Sequence, residues 1–158
     1  MEPAEMRSFR SWLLIVPVLL AATPAFARVG DPLEAFTGGP VPNQLSLSPQ
    51  GQMALSGELA GRSLYRFTSD DGAITVDVVV RGGLIEQQVM YLPRDERRGM
   101  QVSMFLQDAV GSIVGAQKGM LAWRAAVVNG GDTHLTFAGY TMRFTVLERG
   151  LLRVLVSR

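Results

Sequence analysis

The chain has no cysteine in 158 residues and a single histidine, His134. The missing thiol excludes disulfide staples, thiol catalysis, redox exchange and thiolate metal sites. A zinc site draws three or four ligands from His, Cys and carboxylates, so one histidine predicts no metal site, and no cofactor is expected. Lysine is scarce too: Lys118 is the only one, and arginine makes up the rest of the 15 basic residues. That preference fits a GC-rich coding sequence, and no arginine spacing singles out an anion site. The formal net charge is only +1. Binding driven by phosphate neutralisation needs a basic excess, so no nucleic-acid partner is expected. A phosphate-cradling glycine loop is also lacking. Gly38-Gly39 lies among prolines, and neither Gly82-Gly83 nor Gly130-Gly131 joins a strand to a helix.

What the chain does have is an export signature at its start. Arg7 and Arg10 precede an apolar run from Trp12 to Ala22, Thr23-Pro24 ends it, and Ala25-Phe26-Ala27 follows. These are the basic, apolar and small-x-small regions of a secretory signal peptide. At about 1.5 Å per residue the run spans roughly half of a ~30 Å bilayer core, so a cleaved signal is favoured over a membrane anchor. Glu2 and Glu5 offset the two arginines, and initiation at Met6 would give a cleanly basic start. There is no twin-arginine signature and no cysteine to carry a lipid. Cleavage after Ala27 is expected to release Arg28 to Arg158 into the periplasm or the medium, with no transmembrane span left. The parts are then residues 1–27 as signal peptide, 28–51 as a flexible leader or strap, and 52–158 as one domain.

In the leader, Asp31 and Pro32 suit the cap and first position of a helical turn, which Gly38 to Asn43 breaks. Leu33, Phe36, Val41, Leu45 and Leu47 are the residues that would pin it to a core. Strands are predicted next: Ser63 to Thr68, an Asp-Gly turn at 69–72, and Ala73 to Arg81 with Ile74, Val76, Val78 and Val80 on one face. Gly82-Gly83 is read as a two-residue hairpin turn leading into Leu84 to Leu92. Val102, Phe105, Leu106, Ala109, Val110 and Ile113 then form one stripe at helical period, with an end expected between Val114 and Gln117. After it, Leu121, Trp123, Ala125 and Val127 alternate as a strand. Further strands follow around Leu135–Phe137, Tyr140–Val146 and Leu151–Val156, with a bulge or tight bend at Gly139. The expected class is α+β: a curved, mostly antiparallel sheet of six or seven strands with one amphipathic helix packed on it.

No catalytic constellation stands out. Asp77 and Glu86 are the candidate acid–base pair. With Gly82-Gly83 as the turn, Asp77 faces Gln88 and Glu86 faces Val79, which makes the two carboxylates diagonal neighbours. His134 points outward or lies at the sheet rim. Asp70-Asp71 suits a turn better than a calcium loop, and Arg94, Arg97 and Arg98 suit the solvated start of a helix. Trp123, Phe137, Tyr140 and Phe144 read as core. The expected function is that of an exported, non-catalytic binding or accessory protein of the bacterial envelope, holding a peptide, lipid or protein. The alternatives are a subunit of an envelope assembly joined through an exposed strand edge, with Leu151–Val156 as the apolar strand, and a small carboxylate-dependent hydrolase.

Overall fold

The computed structural model describes residues 26–158, so the expected signal peptide lies, up to Ala25, outside the described residues. Seven strands form one antiparallel sheet: β1 (Leu47–Ala54), β2 (Arg62–Ser69), β3 (Thr75–Arg81), β4 (Leu84–Pro93), β5 (Thr133–Phe137), β6 (Tyr140–Val146) and β7 (Leu151–Ser157). Their order is β1-β2-β3-β4-β7-β6-β5. The chain lays down a four-stranded meander, crosses through helices, and returns with a three-stranded meander whose last strand docks on β4. The α+β class expected from the sequence is the observed one.

Two long helices, not one, cover the sheet: α3 (Gly99–Val110) and α4 (Ile113–Asn129), after the short α1 (Leu33–Thr37) and α2 (Pro40–Gln44). The apolar stripe holds on α3 from Val102 to Val110, but the helix stops earlier than expected, and Ile113 opens α4 with 62% of its surface exposed. Gly111 adopts φ 67° as its left-handed cap, and Ser112 Oγ accepts from Gly115 N at 3.1 Å to start α4. Residues 121–127, expected as a strand, are helical. α4 turns Gly115, Ala116, Gly119, Trp123 and Ala126 inward and leaves Leu121 71% exposed. A Cβ on Gly119 would stand 2.8 Å from Leu106 Cδ1 and 3.0 Å from Met142 Sδ. These small residues let α4 approach both α3 and the sheet.

One face of the sheet meets the helices. Val76, Val78, Val80, Met90, Leu92, Met142, Phe144, Leu152, Val154 and Val156 join Val102, Phe105, Leu106, Ala109 and Trp123 in a single core. Each such side chain contributes about 1.5–3 kcal/mol by burial, which makes this layer the main source of stability. β7 lies between β4 and β6, so it offers no edge to a neighbour, and its apolar character reflects a central position. The edges are β1, which carries Pro49 and an irregularity before Gly51, and the five-residue β5. Both are poor templates for strand addition.

Residues 28–51 hold α1, α2 and the start of β1, with Phe36, Val41, Leu45 and Leu47 buried. The cap expected from Asp31 is not made. Pro32 precedes α1, and Asp31 Oδ2 accepts from Arg28 N and Nε at 3.1 and 3.3 Å. The Gly82-Gly83 hairpin follows the sequence reading, whereas the bulge or tight bend expected at Gly139 is a two-residue hairpin turn. Gly82 and Gly83 have φ 57° and 82° between the pair Arg81 and Leu84, and Ala138 and Gly139 have φ 49° and 82° between Phe137 and Tyr140.

Candidate functional site

The second face of the sheet carries none of the long helices. Alternation along each strand assigns it the residues out of phase with the core. Across the strands one row reads Arg66, Asp77, Val89, Leu155, Arg143 and His134, and the next reads Thr68, Thr75, Tyr91, Arg153 and Thr145. A third row holds Leu64, Val79, Gln87, Ser157 and Thr141. Val79 and Val89 are buried yet stand outside the helix-side core.

The expected pairing of Asp77 with Glu86 is altered by a bulge. Val80 pairs with Ile85 but Val79 pairs with Gln87, leaving Glu86 as the extra residue. Asp77 consequently faces Val89 and not Gln88. Each carboxylate is held by its own arginines. Asp77 is bidentate with Arg66, at 2.8 and 2.7 Å. Glu86 accepts from Arg62 and lies 3.2 Å from Arg81 Nη2. The Asp77 contact raises the Arg66 pKa, and burial, followed by the Asp77 charge, raises that of the Tyr91 phenol. The geometry makes these carboxylates acceptors in ion pairs, with no shared site between them.

Toward the β5 side the same face opens into a cleft of about 300 Å³ lined by Asp132, Thr133, His134, Arg143, Thr145 and Arg153. His134 and Arg143 are directly opposite each other on β5 and β6, as are Thr145 and Arg153 on β6 and β7. Arg153 Nη2 reaches Thr145 Oγ1 at 3.4 Å, while its Nε is buried without a hydrogen-bond partner among the described residues. The described ion pairs involve neither Arg143 nor Arg153. Asp132, at the rim, accepts from Val146 N at 3.2 Å. Two unpaired guanidinium groups beside hydroxyls form a setting that accepts an anion bidentately.

Other sequence candidates have structural roles. Asp71 accepts from Ser69 Oγ at 2.6 Å and Ala73 N at 3.0 Å, and these bonds lower its pKa. Arg94 Nε donates to Val127 O at 2.8 Å, satisfying the C-terminal turn of α4. Asp95 is held at a pKa of about 2 by Arg97. Trp123, Tyr140 and Phe144 are buried in the core, and Phe137 is packed against it. No cluster of three or more His, Cys, Asp or Glu suited to a metal ion occurs among the described residues.

Arg143 and Arg153 are the site residues that the sequence reading missed. Their signal was parity: each falls between apolar neighbours at period two, so each must leave the core face, and strand order then brings them together. Compared with models of protein families, with curated proteins and with solved structures, the chain matches none.

Proposed function

We propose that this protein is an exported, non-catalytic binding protein of the bacterial envelope. In this reading its open sheet face holds an anionic amphiphile. The observation that carries the reading is that Arg143 and Arg153, in no ion pair among the described residues, line one cleft on this face. An incoming carboxylate or phosphate oxygen would meet the two guanidinium groups where they line the cleft. Leu155 lies next to Arg143 in its row, and Tyr91 next to Arg153 in the neighbouring row. Together with Val89 they give the ligand's apolar part a surface beside its head. The export signature supplies the compartment. The separate arginine pairing of Asp77 and Glu86 weighs against the hydrolase alternative.

Calorimetric titration of the exported protein with dodecanoate and with dodecyl phosphate tests this reading. Saturable binding is expected to weaken about 10- to 100-fold in Arg153→Met, the equivalent of one lost charge-assisted contact of about 1.5–3 kcal/mol. A folded protein that binds neither probe would sink the proposal.

A second reading, a subunit of an envelope assembly, is favoured by a different surface. Val114, Leu121 and Val128 recur at seven-residue intervals on α4 and are 54%, 71% and 59% exposed. Light scattering of the purified protein decides this reading: a monomer at high concentration counts against self-assembly through that stripe.

A further inference from the structure

Ala27, the last residue of the expected signal peptide, is fully buried and part of the main core. Its N–H donates to Asp108 Oδ1 on α3 at 2.9 Å, and its carbonyl accepts from Gln88 Nε2 on β4. Both partners are themselves buried, and they come from a helix and from the sheet. Asp108 Oδ2 and Gln88 Oε1 have no hydrogen-bond partner among the described residues. The same anchoring continues outward. Val29 N donates to Ala109 O at 3.0 Å, Gly30 N donates to Ile85 O at 2.7 Å, and Asp31 O accepts from Ile85 N at 2.8 Å. Arg28 lies across Gly111, where a Cβ would come within 2.2 Å of its Cδ. These anchoring contacts include Ala27, one residue before the start expected for the mature chain.

Loss of Ala27 would strip the only described partner from one buried carboxylate and one buried amide. Such groups are costly to leave unmade. Two residues upstream, Ala25 is equally small, with Thr23 two residues before it, and this too satisfies a small-x-small processing site. We infer that the leader is cut between Ala25 and Phe26, so that Ala27 stays in the mature protein as the buried link between α3 and β4. Hydrolysis of that amide bond by water leaves a carboxylate on Ala25 and a free amine on Phe26. The inference rests on the export reading.

The test is intact mass and N-terminal sequencing of the full chain after export from a bacterial host. A mature protein beginning at Phe26 is the expected result. One beginning at Arg28 overturns the inference and leaves export standing, whereas a chain that keeps its whole leader overturns both. Two variants sharpen the outcome, because processing is read whether or not the product folds. Ala25→Leu should abolish the cut and Ala27→Leu should leave it in place; the opposite pattern contradicts the inference. Proteins prepared to begin at Phe26 and at Arg28 should also differ in Tm, the shorter being lower by roughly 5 °C or more. Equal Tm values would show that Ala27 has no structural role.

Discussion

Asp108 is an acid buried at the point where the incoming chain meets α3. Burial raises its pKa from 3.8 to about 6, against a smaller opposing effect of the Ala27 N–H. Between those two values the folded protein keeps the proton and the unfolded chain loses it. Stability must therefore fall as pH rises from about 4 to 6, with the penalty complete above that range. Two units correspond to about 3 kcal/mol. Asp108→Asn keeps the acceptor for Ala27 and removes the charge. Urea unfolding between pH 4 and pH 7 should show a steeper loss for the native protein, and a variant more stable at pH 7 by up to about 3 kcal/mol. Parallel curves would mean that Asp108 is already solvated. Nothing in the sequence around Asp108 marked it as buried, because it borders the apolar stripe of α3 and its partner lies 81 residues away.

At the scale of elements, α4 shows how a helix can be illegible. Its inward face is built mostly from the small residues Gly115, Ala116, Gly119 and Ala126 with Trp123 and Val127, while Leu121 and Val128 face outward. Large apolar residues on the wrong side erase the stripe that identified α3. The chance alternation of Leu121, Trp123, Ala125 and Val127 then imitates a strand. The two assignments differ in a measurable way, since a strand would put Leu121 and Trp123 on one face. Leu121→Glu should change stability by no more than about 0.5 kcal/mol, whereas Trp123→Ala should cost about 3–5 kcal/mol. Comparable losses from both, read by urea denaturation, would contradict the helix. Gly119→Val probes the close approach itself: the added atoms meet Leu106 and Met142, and a loss of about 1–3 kcal/mol is expected from overpacking. A neutral or stabilising effect would show slack between α4 and its neighbours. The Gly82-Gly83 hairpin, in contrast, was legible because the glycine pair sits where alternation breaks, while the same break at Gly139 pointed only to a bulge or tight bend. The bulge at Glu86 was not, since no local sequence feature distinguishes an extra residue from a regular one.

For the whole molecule, strand order is what turns dispersed residues into a face. His134, Arg143 and Arg153 come from three strands; β6 against β7 sets Arg143 beside Leu155, and β7 returning against β4 sets Arg153 beside Tyr91. The cleft itself is built from the consecutive strands β5, β6 and β7, so the parity of Arg143 and Arg153 was legible; the adjacency of β4 and β7, which adds Tyr91 beside Arg153, was not. The central claim is that this open face, away from α3 and α4, is where a ligand binds. NMR shift mapping of the exported protein with dodecyl phosphate tests it most directly. The account predicts shifts concentrated on the amides of His134, Arg143, Thr145, Arg153 and Leu155, with α4 unmoved. Shifts centred on Val114, Leu121 and Val128, or none at saturating probe, would contradict it.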